Sequence, residues 1–165
     1  MRAVLALGGN LGDRLATLQG GLDALAATPG LDLVAVSPVY ETDPVGGPEQ
    51  GPYLNAVAVA ETSLTPRELL ARAQEAENAF GRVRTERWGA RTLDVDLISV
   101  GEVVSGDPEL TLPHPRAHER AFVLVPWLQA DPDATLGGTP VAELLAGLDK
   151  TGVRLRADLT LRGPA

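Results

Sequence analysis

The residues best suited to chemistry lie in one short segment, residues 81–98. Asp94 and Asp96 are two positions apart, and carboxylates are ligands for Mg²⁺, a hard ion that prefers oxygen. Guanidinium groups bind phosphate oxygens through paired hydrogen bonds. Four of them precede the aspartates, at Arg82, Arg84, Arg87 and Arg91. This combination indicates a magnesium–polyphosphate site and phosphoryl-type transfer from a nucleotide.

Residues 93–100 are typical of a strand, so both aspartates project from one face because side chains alternate with period two. Their Cβ atoms are then about 7 Å apart, close enough to share one Mg²⁺ or to flank two. Alternatively, the two aspartates could form solvated salt bridges at the end of a strand. The arginines could likewise form exposed ion pairs with surface acids, each of which contributes about 0–1 kcal/mol to stability. Gly81 and Gly89 would allow the arginine segment to close over phosphates.

Other candidates surround this segment. Tyr53, Trp88 and Phe122 are aromatic residues beside predicted loops, where they could stack on a planar heterocycle or simply pack in the core. Asn55 shares a strand face with Tyr53, and its amide could bind a heterocycle edge or face solvent. His114 could contact a nucleotide or make a structural hydrogen bond. The early glycine segment, residues 8–12, lacks both the P-loop and the dinucleotide-binding patterns.

Composition excludes several classes of function. The chain has 165 residues and a formal charge of -8, which argues against general nucleic-acid or anionic-membrane binding. The absence of cysteine excludes disulfides, thiolate nucleophiles and cysteine-based zinc sites. No signal peptide is recognisable, and no apolar run approaches the roughly 18 residues that span a bilayer. We expect a cytoplasmic monomer.

Hydrophobic periodicity predicts the elements that position these residues. In chain order they are a strand at 2–7, a helix at 12–27, strands at 31–36 and 53–61, a helix at 66–80, a strand at 93–100, helices at 119–129 and 141–147, and a strand at 153–161. The first six follow the order βαββαβ, which is typical of the ferredoxin-like fold. We expect one α+β domain over 1–165, with an antiparallel sheet, helices packed on it and C-terminal additions.

Six segments that span nearly the whole chain together resemble the 6-hydroxymethyl-7,8-dihydropterin pyrophosphokinase family of folate biosynthesis. They are residues 7–12, 53–56, 81–84, 86–96, 112–116 and 120–124. The run Arg-Trp-Gly…Arg-Thr-Leu-Asp-x-Asp is specific to that family. The resemblance implies a ferredoxin-like α+β fold, and transfer of the β,γ-pyrophosphate of ATP to the hydroxymethyl oxygen of the pterin, with release of AMP.

The resemblance also implies a role for each matching residue. Asp94 and Asp96 are expected to hold two Mg²⁺ ions, with Asp96 also assisting catalysis. The pterin contacts are expected from Thr42, Val45, Tyr53, Asn55, Phe122 and Asp94. The ATP contacts are expected from Gln74, Glu77, Arg84, Trp88, Leu97, Thr111, His114 and Arg120. Charge on the transferring group would be neutralised by Arg82 and Arg91.

Three other interpretations remain open from the residues alone. A ferredoxin-like regulatory module would bind a small molecule without turnover, but it gives no reason for two aspartates beside four arginines. An RNA-recognition module would require basic and aromatic residues on its central strands, where this chain has Asp94 and Asp96. A different nucleotide-dependent kinase would be distinguished by the heterocycle that it accepts.

Overall fold

The computed structural model describes residues 1–10, 13–43, 52–80 and 93–163, apart from the side chain of Phe80. It contains strands and helices in mixed order, which confirms an α+β fold. The elements are β1 (Arg2–Gly9), α1 (Arg14–Ala26), β2 (Leu31–Val36), β3 (Tyr40–Thr42), β4 (Tyr53–Thr62), α2 (Pro66–Phe80), β5 (Leu93–Val100), β6 (Ser105–Asp107), β7 (Leu110–Leu112), α3 (Ala121–Ala130), β8 (Thr135–Leu136), β9 (Thr139–Pro140), α4 (Val141–Ala146) and β10 (Val153–Leu155).

One six-stranded sheet organises the molecule. Its strands follow the order β10-β3-β4-β1-β5, with β2 pairing to the far end of β4, and every pair is antiparallel. Two short hairpins, β6–β7 and β8–β9, lie outside this sheet. The long strand β4 therefore joins the terminal strand β10, through β3, to the two strands β1 and β5.

The sheet has an apolar core on each face, because its central strands are apolar at both odd and even positions. Leu5, Leu7 and Leu97 face a core that includes α1 and α2. Val4 and Val57 face a second core, which contains Trp127 of α3. Helix α3 is apolar around nearly its whole circumference, as expected for a helix buried between a sheet and further chain.

The helix starts follow the capping residues in the sequence. The Asp13 side chain accepts a hydrogen bond from the Ala16 N–H, and the Thr65 Oγ1 accepts one from the Glu68 N–H at 3.1 Å. Glu68 in turn accepts from the Thr65 N–H at 3.0 Å, which completes a capping box. No helix among the described residues is both long and apolar enough to cross a membrane.

Some predicted boundaries were wrong. β1 continues through Gly9 instead of ending at residue 7, because both glycines pair with β4 and β5. The terminal strand ends at Leu155 instead of residue 161, because Arg156 bonds the Val39 carbonyl and the chain then turns. Strand β3 and both short hairpins were not predicted, since strands of two or three residues carry almost no periodic signal.

Candidate active site

A cavity of about 540 Å³ lies on the α3 side of the sheet, beside the start of α3. This volume is typical of a small-molecule pocket. The cavity brings together residues from β3, β4, β5 and the beginning of α3. Seven of the residues predicted to form the site line it: Thr42, Tyr53, Asn55, Asp94, Asp96, Arg120 and Phe122.

The register of the sheet explains how residues distant in sequence meet here. Gly8 of β1 lies opposite Asn55 of β4 on one side and opposite Asp94 of β5 on the other. Two residues earlier, Ala6 lies opposite Asp96. Residues that lie opposite one another in a sheet project from the same face. The amide and both carboxylates therefore stand on one face, separated only by the small residues of β1.

Gly8 keeps the floor of the cavity open. A Cβ atom at Gly8 would lie 3.0 Å from the Asn55 Nδ2 and 3.7 Å from the Tyr53 Cδ2. The Thr42 hydroxyl donates to the Asn55 Oδ1 at 2.5 Å, with both side chains buried. Since the amide oxygen is used by Thr42, the Asn55 NH₂ group is left facing the space above Gly8. The site thus presents an oriented amide donor beside Asp94.

Two aromatic side chains, Tyr53 and Phe122, line the cavity from β4 and from α3. The guanidinium carbon of Arg120 lies over the Phe122 ring, 5.6 Å from its centroid. This contact is a cation–π interaction that covers one face of the ring. An aromatic ring and a guanidinium group thus lie together in the cavity lining.

Carboxylates outnumber guanidinium groups in the described lining of the cavity. The carboxylates belong to Asp43, Asp94, Asp96, Glu119 and Asp149, and the guanidinium groups to Arg116 and Arg120. Asp43 pairs with Arg154, Glu119 pairs with Arg116, and Asp149 accepts a hydrogen bond from the Thr151 N–H. No hydrogen bond or ion pair to the described chain engages Asp96. A polyphosphate can enter such a cavity only if cations compensate its charge.

Several predicted residues do not line this cavity. Among the described residues these are Gln74, Glu77, Leu97, Thr111 and His114. Gln74 is exposed on α2, and Leu97 is buried in the core beneath the sheet. The Thr111 hydroxyl donates to the Asp107 carbonyl within the β6–β7 hairpin. The predictions for Val45, Arg82, Arg84, Trp88 and Arg91 fall outside the described residues.

His114 lies near enough to Asp96 to feel its charge, although it does not line the cavity. Burial lowers its pKa below the usual 6.5; the Asp96 charge opposes this shift, whereas Arg120 and Arg116 add to it. The imidazole is therefore mainly neutral at pH 7. Its Nδ1 accepts from the Arg116 N–H at 3.2 Å, so the ring proton resides on Nε2. That N–H is a potential donor to a ligand.

Glu77 has a structural contact. Its buried Oε2 accepts from the Val95 N–H of the edge strand β5 at 3.0 Å. We predict that Glu77→Ala lowers the free energy of unfolding by about 2 kcal/mol, because it leaves the buried Val95 N–H without its acceptor. Urea denaturation measures the change. Glu75→Ala, which removes only an exposed pair with Arg72, serves as control and should cost less than about 0.5 kcal/mol. Equal losses in the two variants would contradict the prediction.

The cavity also contains residues that sequence reasoning missed. They include Gly8 on its floor, Asp43 beside Thr42, and Asp149, Gly152 and Val153 near the C-terminal strand. Val153 lies opposite Thr42, and the Asp43 N–H donates to the Gly152 carbonyl at 3.0 Å. Adjacency to Thr42 could have indicated Asp43. The C-terminal residues carry no motif, and only the pairing of β10 with β3 brings them here.

The chain is similar in sequence to known proteins over nearly its whole length. The family model described as 7,8-dihydro-6-hydroxymethylpterin-pyrophosphokinase (HPPK) matches residues 4–132. A Mycobacterium tuberculosis protein named 2-amino-4-hydroxy-6-hydroxymethyldihydropteridine pyrophosphokinase is 51% identical over 183 residues, which cover 99% of this chain and 95% of that protein. A Pseudomonas aeruginosa protein of the same name is 42% identical over 153 residues, covering 92% and 94%.

Solved structures support the same fold at low sequence identity. A triple mutant of Plasmodium falciparum HPPK-DHPS aligns with a TM-score of 0.68 and 14% identity, covering 88% of this chain and 44% of that one. Wild-type HPPK-DHPS from the same organism aligns with a TM-score of 0.67 and 11% identity, with the same coverage. This chain thus spans less than half of those longer proteins. The sequence matches nevertheless extend over nearly its full length, and the chain belongs to the 7,8-dihydro-6-hydroxymethylpterin-pyrophosphokinase family.

Proposed function

We propose that this protein transfers the β,γ-pyrophosphate of ATP to the hydroxymethyl oxygen of 6-hydroxymethyl-7,8-dihydropterin, releasing AMP, in folate biosynthesis. It is an ATP-dependent pyrophosphokinase. One observation carries the proposal beyond family membership: the sheet register sets the Asn55 amide and the Asp94 carboxylate on either side of Gly8, in one cavity. A site for a polar heterocycle thereby adjoins a site for a metal and phosphates.

For the pterin side we propose a stack between Tyr53 and Phe122, with the Asn55 NH₂ donating to an acceptor on the ring edge. The presence of Tyr53, Asn55 and Phe122 in the lining of one cavity supports this arrangement. Thr42 holds the Asn55 amide in one orientation. The backbone contacts proposed for Thr42 and Val45, and the pterin contact of Asp94, complete this side.

Asp94 and Asp96 fit a Mg²⁺ site by their chemistry and position. Mg²⁺ is commonly held by one or two carboxylates together with phosphate oxygens and water. Two aspartates therefore suffice, although the described residues include no cluster of three or more potential ligands. We propose two ions at these aspartates. Bound Mg²⁺ would neutralise phosphate charge and lower the pKa of the attacking hydroxyl.

The protein's own contribution is mainly positioning and charge. The reaction forms a bond between the hydroxymethyl oxygen and the β-phosphorus, and breaks the bond from that phosphorus to the oxygen that leaves with AMP. Such transfer requires alignment and charge stabilisation and little covalent chemistry from side chains. The hydroxyl proton must leave during attack, and the proposed acceptor at the site is the Asp96 carboxylate or adjoining water. We propose Arg82 and Arg91 as the groups that stabilise charge on the transferring pyrophosphate.

The nucleotide side is proposed from the family resemblance. Its residues are Gln74, Glu77, Arg84, Trp88, Leu97, Thr111, His114 and Arg120. Arg120 is supported by its position in the cavity lining, and His114 by its neutral ring with a proton on Nε2. Arg116 also lines the cavity and adds positive charge beside Arg120.

We further propose the ferredoxin-like class for the fold, supported by the order β5-β1-β4-β2 with α1 and α2 packed on one face. A single domain over 1–165, a monomeric state, a cytoplasmic location and the lack of nucleic-acid and membrane partners stay predictions. The acidic formal charge of -8 supports the prediction on nucleic acid.

The proposed reaction predicts that AMP forms from MgATP only when 6-hydroxymethyl-7,8-dihydropterin is present. Phosphorus NMR of the same mixture should show a pterin diphosphate. Formation of ADP instead would indicate an ordinary kinase and overturn the proposal. Tight binding of the pterin without any nucleotide turnover would instead support a regulatory module. A mixture that lacks Mg²⁺ and contains a chelator serves as the control for metal dependence.

A further inference from the structure

Glu41 is surrounded by arginines on the face of the sheet opposite the cavity. It lies between Tyr40 and Thr42 on β3, so its side chain projects away from the face on which Thr42 lines the cavity. The Glu41 Oε2 lies 3.2 Å from the Arg14 Nη1 and 2.9 Å from the Arg156 Nη1. The Glu41 Oε1 lies 3.4 Å from the Arg154 Nη2. We call these four residues the Glu41 cluster.

Each arginine of the Glu41 cluster also binds a second part of the chain. Arg14 donates from Nη1 to the Pro52 carbonyl at 2.8 Å, immediately before Tyr53. Arg154 donates from Nη2 to the Asp43 Oδ1 at 3.0 Å, immediately after Thr42. The Arg156 N–H donates to the Val39 carbonyl at 2.9 Å, just before β3. The cluster thus joins both chain segments that carry the cavity residues Thr42 and Tyr53.

Charge and burial make Glu41 the centre of this cluster. Its side chain is only 20% exposed, whereas those of the three arginines are 26%, 45% and 30% exposed. Burial alone would raise the pKa of Glu41, but the hydrogen bonds from Arg154 and Arg14 and the arginine charges outweigh it and lower the pKa. Glu41 therefore stays ionised at neutral pH and attracts all three guanidinium groups.

We propose that the Glu41 cluster positions the pterin-binding side of the cavity, so that Glu41 is a positioning residue for the pterin although it does not line the cavity. It fixes β3 relative to the start of β4, and hence the spacing of the Thr42–Asn55 pair from Tyr53. This inference rests on the proposed function, because it assumes that these residues bind the pterin. The inference means that pterin affinity also depends on the C-terminal strand β10, which contributes Arg154 to the cluster.

The test is the isosteric variant Glu41→Gln, which removes the charge and keeps the shape. We expect the dissociation constant for 6-hydroxymethyl-7,8-dihydropterin, measured by pterin fluorescence without nucleotide, to rise about tenfold, as misplaced binding groups would cause. The KM for the pterin should rise in parallel, while the KM for MgATP stays unchanged. The control is Glu61→Gln, which removes an exposed carboxylate of β4 that pairs with Arg2 of β1. It should leave both constants unchanged.

The dependence of pterin affinity on ionic strength provides a second readout. The pterin is uncharged, so long-range electrostatic attraction between ligand and protein does not contribute to its binding. Raising ionic strength from about 0.1 M to about 1 M shortens the Debye length from about 10 Å to about 3 Å. The wild-type protein should therefore bind the pterin more weakly at high ionic strength, and the affinity of Glu41→Gln should change less.

A second variant tests the inference if Glu41→Gln does not fold. Arg14→Met loses the contact with the Pro52 carbonyl and one ion pair with Glu41, and its pterin affinity is measured in the same way.

The results separate this inference from the proposed function. Unchanged pterin affinity in a folded Glu41→Gln or Arg14→Met protein, even with a lower melting temperature, would assign the cluster to stability alone and overturn the inference. A wild-type protein that binds the pterin but forms no AMP would overturn the proposed reaction, while the affinity comparison would still test the positioning role.

Discussion

Replacement of Asp96 by asparagine is expected to lower kcat for pterin-dependent AMP formation by about a thousandfold, or about 4 kcal/mol of transition-state stabilisation. The change keeps the shape of the side chain and removes its charge. Asp96 is exposed to the cavity, stands on the same sheet face as Asp94, and lies opposite the small residue Ala6. It is therefore available to hold a cation against phosphate, an interaction that strengthens as charge develops on the leaving group.

The measurement is steady-state AMP production over a range of Mg²⁺ concentrations. Asp94→Asn should behave similarly, and both variants should require more Mg²⁺ for half-maximal rate. Asp32→Asn changes an exposed aspartate on β2, away from the cavity, and should retain the wild-type rate. A rate for Asp96→Asn within about threefold of wild type would remove Asp96 from the metal site and from catalysis, since such a change is under about 1 kcal/mol.

Replacement of Gly8 by valine is expected to weaken pterin binding about a hundredfold, equivalent to about 3 kcal/mol. The first added carbon would already lie 3.0 Å from the Asn55 Nδ2, and the two methyl groups would extend into the space between Asn55 and Asp94. The Asn55 amide would have to rotate, which would break its hydrogen bond with Thr42. Overpacking of this kind costs about 1–3 kcal/mol before the lost ligand contact is counted.

Fluorescence titration with the pterin, without nucleotide, measures this effect directly. Gly106→Val is the matched control, because Gly106 also lies in a strand, but a Cβ atom added there would meet no described atom within 4 Å. Its pterin affinity should equal that of wild type. Near-UV circular dichroism shows whether each variant is folded. Wild-type affinity in a folded Gly8→Val protein would mean that the pterin does not occupy the space above Gly8.

Much of the site follows from the sequence because its residues sit on long, regular strands. Period-two alternation was enough to put Asp94 and Asp96 on one face, and to pair Tyr53 with Asn55 on another strand. In the structure all four of these residues line the same cavity, as both predictions require. The capping signal of Thr65 also located the start of α2 correctly. In each case the information lies within a few neighbouring residues, where local geometry determines the structure.

The missed parts depend on contacts between distant residues. Gly8 matters because it has no side chain, and its importance emerges only once the register places it between Asn55 and Asp94. The lack of a P-loop pattern around Gly8 gave no hint of this role. β3 has three residues and follows Pro38, so its pairing with β10 has no local signature. Sequence alone therefore could not assign Asp149 or Val153 to the cavity.

The pairing of β10 with β3 has a consequence for the order in which the enzyme forms during synthesis. Glu41 and Arg156 are 115 residues apart. At about 5–20 residues per second, a ribosome needs at least about 6 s to make the chain between them. During that interval β1, β4 and β5 can already pair, while β3 has no partner on its outer edge. The edge beside Thr42 therefore cannot be completed until β10 has been made, whereas β5, which carries both aspartates, is made earlier together with its partner β1.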